Sequence, residues 1–394
     1  MSLRGRDEDD EGFFFRSNFF QLSVVMFVLH ATRRLLLLAA MVHVAMRPCP
    51  AVALAATRVV VVGGGVGGLA VGARLARAGL EVQVLEKNSI GGGRCQGLTV
   101  GAPGVGDFRF DTGPSLLLMR SKYEEAFRAL GADLPCDLLR VDPCYRVFFT
   151  DGSSIDLTSD ATNMTRQLDN FEAGAGLAYL EWLAKAKAMF DKGGSFIEED
   201  VQTPMDLAKV DVAAALISRV PPWELLLPHD SVLKLYFKDA RLRSLFTFQD
   251  LYVGLSPYNA PGVFSLLAGT EISDGIWYPR GGFGILRDGL RDAAFANGVR
   301  MRTDAEVKRV LVEEGKTVGV ELASGEVVQA DVVVANADVP YAYEELLEGA
   351  QAENTATELA AKSYSAGVIA MYWSIKGRLV VVRIFFLFAM QRYH

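Results

Sequence analysis

Apolar residues recur along the chain in three rhythms, and each predicts a different element. A continuous run, Val59-Val60-Val61-Val62, breaks into glycines at Gly63 and is followed by an Ala/Leu-rich stretch and a second short apolar run ending at Leu85. Short unbroken runs of β-branched residues bounded by glycine read as fully buried parallel strands, so this segment predicts strand, helix, strand. Around Tyr145–Leu157 two strand-like runs flank Asp151-Gly152, which predicts a β-hairpin. Residues 166–250 change to helical spacing, with Leu177, Leu180, Trp182 and Leu183, and later Leu233, Leu235, Leu242 and Leu245. The strand pattern returns at Val307–Val312, Val318–Leu322 and Asp331–Asn336, with turns at Glu314-Gly315 and Ser324-Gly325. This is a small meander ending in a buried, parallel-type strand.

The glycines of the first unit carry chemistry. Gly63, Gly65 and Gly68 stand as Gly-x-Gly-x-x-Gly between strand and helix, the order a dinucleotide-binding βαβ unit requires. Gly63 permits the tight turn, Gly65 lets backbone approach a pyrophosphate, and Gly68 lets the helix lie on the sheet. The helix N-terminus then offers free N–H groups to phosphate. Glu86 follows roughly 20 residues on, where a carboxylate can accept the ribose hydroxyls. An acid there, rather than arginine, leaves FAD or NAD as the ligand and disfavours NADP. Ile90-Gly91-Gly92-Gly93-Arg94-Cys95 favours FAD, because its guanidinium can return to the pyrophosphate as a second clamp.

Composition narrows the classes. A chain of 394 residues exceeds one compact core and suggests two domains. The apolar share of 51% and mean hydropathy of +0.21 are high, yet the longest apolar runs, 35–46 and 379–390, fall short of the roughly 20 residues that span a bilayer. A net charge of −7 without a basic run argues against nucleic acid as a partner. Cys49, Cys95, Cys136 and Cys144 form no CxxC pair and no zinc spacing, so no metal is expected. His229 is the one histidine expected in the folded body. With no nucleophile elbow beside it, it reads as a surface or boundary residue, and hydrolytic chemistry is set aside.

With these segments placed, the chain resembles the bacterial-type phytoene desaturases and related carotene isomerases, within the FAD-dependent amine-oxidase-like superfamily. The residues that carry the resemblance are Val62–Leu69, Leu85-Glu86-Lys87, Gly92-Gly93-Arg94, Phe110-Asp-Thr-Gly-Pro-Ser115, Pro143-Cys-Tyr-Arg146, Gly275-Ile-Trp-Tyr-Pro-Arg-Gly-Gly282 and Ala335-Asn-Ala-Asp338. They cover about residues 58–377. The resemblance implies an α/β fold: a Rossmann-like FAD-binding domain, split in sequence, with an inserted, mainly helical substrate domain. It implies a leader or disordered segment over 1–56, FAD-domain parts at 57–165 and 271–340, a helical substrate domain at 166–270, and the start of a C-terminal substrate region from 341. Basic residues, a short apolar run and A-x-A triplets between 33 and 55 read as an export or plastid leader. Past Gly377 the family pattern stops, so the chain is expected to be C-terminally truncated and to lack one wall of the flavin site.

The resemblance also implies cofactor contacts at Gly63, Gly65, Gly68, Glu86, Lys87, Gly93, Arg94, Asp111, Gly113, Pro114 and Val307, the last through its backbone to the adenine. The implied reaction removes hydride and proton from a C40 polyene in carotenoid biosynthesis. The alternatives are a redox-neutral carotenoid isomerase using reduced FAD and a non-catalytic flavin- or carotenoid-binding remnant. Asp206 and Lys209 are the candidate proton acceptor and charge stabiliser, against an ordinary i, i+3 ion pair. Arg280 is a further candidate against a structural ion pair. A forty-carbon polyene would gain roughly 30 kcal/mol on leaving water at about 0.8 kcal/mol per CH₂, beyond the ceiling of roughly 18–21 kcal/mol for non-covalent affinity. Such a substrate resides in lipid, so peripheral membrane contact is expected, with Pro221–Pro228 as the candidate surface.

Overall fold

The computed structural model describes residues 57–102, 106–198, 227–364 and 370–372. The leader 1–56, the pair Asp206 and Lys209, and most of the Pro221–Pro228 segment lie outside the described residues.

Strand Arg58–Val62 enters the helix Val66–Arg77 and returns as strand Glu81–Leu85. The two strands pair in parallel, Val59 with Val82 through Val62 with Leu85. Parallel neighbours Val332–Ala335 and Arg300–Arg302 complete a four-stranded sheet, in the order Val332–Ala335, Arg58–Val62, Glu81–Leu85, Arg300–Arg302. Strand Val332–Ala335 confirms the expected return of the chain to this sheet. Val59, Val61, Val82 and Val84 face one core with Leu69, Ala73 and Ala294, while Val60, Val62 and Leu85 face another with Val307, Val320 and Leu322. Burial on both faces explains why these strands read as continuous apolar runs. The meander forms as expected from Val307–Glu313 and Lys316–Leu322, and a short strand, Val327–Gln329, extends it.

Two pairings were not legible locally. Strands Gly97–Ala102 and Gly106–Asp111 pair with each other. Leu138–Val141 pairs with Ile276–Pro279 across a long separation in sequence. The hairpin Tyr145–Phe148 with Ser154–Leu157 forms as expected. Its inward Ile155 and Leu157 join the core of the helical part, with Met164 and Leu168 from the helix Ala161–Phe171 and Tyr179, Trp182 and Ala186 from the helix Ala175–Glu198. Four rings hold this core: Phe246 lies 4.7 Å from Trp182, 5.6 Å from Tyr179 and 5.2 Å from Phe237, centroid to centroid. Aromatic pairs at these spacings add about 0.5–1.5 kcal/mol each beyond the area they bury.

His229 corrects the sequence reading, because it is fully buried in this core. Its Nδ1 lies 3.0 Å from both Asp250 carboxylate oxygens and its Nε2 lies 2.9 Å from Ser265 Oγ. Trp182 Nε1–H also donates to Ser265 Oγ, at 3.3 Å. The contacts follow a Ser-His-Asp order, but Ser265 is 1% exposed and Asp250 is 0% exposed, so no substrate reaches the hydroxyl. The network is structural. It pins the short helix His229–Leu233 to the helix Ser265–Ser273 and lets polar groups lie in an apolar core with their partners satisfied. Replacing His229 with leucine should strand the Asp250 carboxylate and cost about 3–5 kcal/mol, whereas Ser265→Ala should cost about 1 kcal/mol. Urea unfolding of both variants checks this. Equal small losses would show that the network contributes little.

Candidate functional site

The parallel sheet opens at the carboxyl ends of its strands into a cleft of about 650 Å³. Gly63 leaves strand Arg58–Val62 at φ +99°, a conformation that favours glycine. The helix that follows has Gly65 as N-cap, without a side-chain cap and with no acid in its first turn, so its free N–H groups face the cleft unneutralised. A Cβ on Gly68 would lie 2.0 Å from the Gly63 carbonyl oxygen, so this glycine is required by helix–strand packing itself. A Cβ on Gly65 would meet only Asn336 Nδ2 at 3.3 Å and Gly93 Cα at 3.8 Å. The fold alone makes a weak demand for glycine there, which leaves room for backbone approach by a ligand.

The second glycine cluster packs against the first. Gly92 N–H donates to Gly64 O at 2.7 Å, and Gly65 and Gly92 form a parallel bridge. Gly93, at φ +56°, and Arg94 line the same cleft. The Arg94 side chain is 93% exposed and lies 3.9 Å from the carboxylate of Asp338 on the opposite rim, free to turn inward. Lys87 Nζ sits 5.8 Å from the Tyr341 ring centroid at another edge. Val307 is buried on the cleft wall beside Ala305.

Glu86 is 5% exposed, and its environment differs from the sequence expectation in one respect. Its Oε2 accepts from Gly64 N–H at 2.8 Å, while its Oε1 accepts from the Asn88 N–H at 2.9 Å and from Asn88 Nδ2 at 2.7 Å. A carboxylate has about four lone-pair positions, so roughly one remains for a ribose hydroxyl. Accepting both hydroxyls requires the Asn88 amide to swing away.

The remaining predicted residues divide. Pro114 lines the cleft. Gly113 is held by packing, since a Cβ there would fall 1.9 Å from Arg94 O. Asp111 is an anchor: it accepts from Tyr278 Oη at 2.6 Å and from Phe283 N–H at 3.0 Å, and this contact pushes the Tyr278 phenol up to about 12. It thereby ties Gly275–Gly282 to the strand Gly106–Asp111. Arg280 lies apart, in a separate cleft of about 590 Å³ with Arg120 and Arg128. There it faces Asp137 at 3.4 Å, with both side chains largely exposed, which is the structural ion pair of the two readings.

Asn336 is the residue that sequence reasoning passed over. Its N–H donates to Val62 O at 2.8 Å, and its side chain donates to Gly63 O at 3.3 Å. It lies over Gly63, Gly65, Gly67 and Gly68 together. The signal was present in Ala335-Asn336-Ala337-Asp338, because a polar residue ending a buried parallel strand stands at the crevice where open α/β sheets bind ligands.

Sheet, glycine turn, buried acid and crevice together define a dinucleotide-binding flavoprotein fold. The chain belongs to the flavin containing amine oxidoreductase family, whose model matches residues 66–380. FAD is the cofactor of this class, and the uncrowded approach at Gly65 fits a pyrophosphate. The chain is 41% identical over 306 residues to a zeta-carotene-forming phytoene desaturase of Myxococcus xanthus, covering 74% of this chain and 55% of that protein. It is 37% identical over 331 residues to a phytoene desaturase of Neurospora crassa, covering 81% and 54%. It is 34% identical over 323 residues to a carotenoid 3,4-desaturase of Haloarcula japonica, covering 81% and 63%. The chain thus spans about half the length of the first two. Among solved structures, a protein from Pyrococcus furiosus shares the fold at a TM-score of 0.52 and 19% identity, over 78% of this chain and 66% of that one.

Gly65→Ala and Gly68→Ala should separate binding from folding. Gly65→Ala should cost about 1 kcal/mol of stability or less while lowering FAD occupancy. Gly68→Ala, whose Cβ meets backbone, should lose about 1–3 kcal/mol or more as well. Thermal melts of the apo-protein and flavin stoichiometry after reconstitution test this. Full FAD occupancy in Gly65→Ala would remove the pyrophosphate from this turn.

Proposed function

We propose that the chain is the FAD-binding and substrate-facing part of a carotenoid desaturase, acting on a C40 polyene such as phytoene. The observation that carries this reading is the coincidence of the dinucleotide cleft with 34–41% identity, over more than 300 residues, to proteins named for carotene desaturation. When bound, FAD supplies the hydride acceptor that an unactivated hydrocarbon requires. The chain's residues bind and orient it. Gly63–Gly68 and the helix N-terminus take the pyrophosphate, with Arg94 as the mobile clamp; Glu86 takes a ribose hydroxyl; and Val307 and Lys87 border the adenosine end. Asp111 and Gly113 act one step back, by holding Pro114 and the Tyr278 segment in place. The names of these relatives favour desaturation over cis/trans isomerisation.

Delivery from a membrane fits the described surface. No helix among the described residues is long and apolar enough to cross a bilayer. The end of the Pro221–Pro228 segment is described: Leu227 is 36% exposed, and its carbonyl accepts from Gly262 N–H. Ala260 and Pro257 in turn accept from His229 and Asp230 N–H, which sets Leu227 in the same part of the fold as Tyr258, 71% exposed. Leu235, 56% exposed, follows the helix His229–Leu233 beside Lys234, whose Nζ pairs with Asp230 Oδ2 at 2.6 Å. Exposed aromatic and aliphatic side chains suit the headgroup boundary of a bilayer.

The test is anaerobic reaction of the FAD-loaded chain with phytoene in liposomes. Bleaching of the oxidised flavin, with a product lighter by two hydrogens per new double bond, is the expected result. A product of unchanged mass would turn the reading to isomerisation, and absence of bound flavin would turn it to a binding remnant. Cosedimentation with the same liposomes should fall several-fold when Leu227, Leu235 and Tyr258 are all changed to serine. Unchanged cosedimentation would remove this surface from the reading.

A further inference from the structure

Desaturation releases a proton as well as a hydride, and the described residues contain one carboxyl group suited to take it. Three carboxyl side chains are buried: Glu86, Asp250 and Glu271. Glu86 is held by the amide groups of Gly64 and Asn88, and Asp250 by His229. Glu271, on the helix Ser265–Ser273, has no backbone N–H and no imidazole among its partners. Its Oε1 accepts from Tyr252 Oη at 2.7 Å and from Tyr145 Oη at 3.1 Å, and its Oε2 accepts from Gln249 Nε2 at 2.9 Å. The two phenol oxygens also lie within hydrogen-bond reach of each other, and with one proton per phenol only two of these three contacts form at once against an ionised Glu271. Tyr145 comes from the hairpin, with the Cys144 thiol beside it, while Gln249 and Tyr252 come from the turn Phe248–Val253. Among the described residues no Lys, Arg or His charge acts on Glu271, and burial holds its carboxyl above the ordinary value of 4.5.

Two further features mark the cluster. Gln249 Oε1 is the one buried side-chain oxygen or nitrogen without a partner among the described residues. The two phenols bring two protons to three contacts with Glu271 and each other, and a proton on Glu271 supplies the missing donor. The cluster also opens outward at Tyr252, which is 44% exposed, between the exposed Leu251 and Val253. The Phe248 ring packs on both phenols, at 4.8 Å from Tyr145 and 6.3 Å from Tyr252. Tyr252 thus joins an exposed apolar rim to the carboxyl, with its Oη hydrogen-bonded to Glu271 and within reach of Tyr145 Oη.

We propose that Glu271, reached through Tyr252 and Tyr145, is the proton-accepting site of the desaturation. The inference rests on the carotenoid-desaturase reading. Of the two C–H bonds broken, one gives its hydrogen and both electrons to the oxidised flavin. The second gives its electrons to the new C=C bond and its proton to Tyr252 Oη, as the phenol passes its own proton to the Glu271 carboxylate. The proton returns to solvent by the same phenol. An acid tuned upward by burial is suited to this task, because a general base works best when its pKa lies near the working pH.

The test compares wild type, Glu271→Gln and Tyr252→Phe as FAD-loaded full chains, by anaerobic flavin reduction with phytoene in liposomes from pH 5 to 9. General-base catalysis contributes about 10²–10⁴-fold, so Glu271→Gln should slow reduction at least 100-fold with flavin content unchanged. The wild-type rate should rise with pH as Glu271 ionises, and the variant's profile should be flat. Wild-type rate and pH dependence in Glu271→Gln would overturn the inference, whereas a wild type that no carotene reduces would overturn the desaturase reading. If Glu271→Gln does not fold, Tyr252→Phe carries the test: at least a tenfold loss is expected, and an unchanged rate overturns the relay.

Thermal stability gives a readout independent of activity. A carboxyl raised by folding binds its proton more tightly in the native state, so its contribution is present at low pH and is lost as pH rises. Wild type should therefore lose Tm relative to Glu271→Gln from about pH 4.5 upward. A constant difference in Tm would show that Glu271 does not hold its proton in the fold, and would count against the site.

Discussion

The ladder between Arg58–Val62 and Val332–Ala335 is the constraint on which the rest of the described structure depends. It joins segments some 270 residues apart, Val59 to Val332 and Val62 to Ala335, and is sealed at its start by the Arg58–Asp331 ion pair at 3.1 Å. That exposed pair contributes little energy; its position matters as the start of the register. A parallel strand has its side-chain faces fixed by register, and a one-residue slip would reverse them. In the observed register Val332 and Val334 join one core, Val333 joins the other, and Asn336 arrives over the glycine turn. The ligand cleft is therefore made when the ladder closes. Everything between the two strands, including the helical part, is inserted into a site whose two walls are distant in sequence.

This explains which features were legible in the sequence. The βαβ unit is local: strand, turn and helix are specified within the stretch 58–86, and both periodicity and glycine spacing are direct consequences of packing within it. The hairpin at Tyr145–Leu157 and the meander after Val307 are local for the same reason. The pairing of Leu138–Val141 with Ile276–Pro279 is not, because its partners are separated in sequence by the whole helical part. His229 was misread on similar grounds. A polar residue in an apolar stretch carries no sign of burial when its satisfying partners, Asp250 and Ser265, lie 21 and 36 positions away. Glu86 lines the cleft, but Asn88, two residues on, holds one of its oxygens twice over and alters its capacity.

The glycines show how far a motif separates fold from function. Gly68 meets backbone at 2.0 Å and Gly113 meets backbone at 1.9 Å, so both are fixed by close contacts inside the chain. Gly65 meets only Asn336 Nδ2 at 3.3 Å and Gly93 Cα at 3.8 Å, so contacts inside the chain make little demand for glycine there. The same distinction applies to the acids. Asp111 stands in a family motif near the expected flavin region, yet its two hydrogen bonds go to Tyr278 and Phe283, so its task is to hold the Gly275–Gly282 segment against the strand Gly106–Asp111. Motif membership marks residues the fold or the ligand depends on, and only the contacts tell which.

The three buried carboxyls put this argument in electrostatic terms. Burial of an ionised carboxylate costs several kcal/mol unless its oxygens are satisfied, and each of the three is satisfied differently. At Glu86 the N–H groups of Gly64 and Asn88 and the Asn88 side-chain amide satisfy the two oxygens. An imidazole at Asp250 closes a pair inside an aromatic core, where nothing enters or leaves. Phenols and an amide at Glu271 favour the charge more weakly than a cation does, and burial works against them. Burial thus holds that carboxyl above its ordinary value, with the partly exposed Tyr252 among its partners. The last environment alone combines a carboxyl raised by burial with phenol partners, the pairing on which the proton-accepting proposal rests.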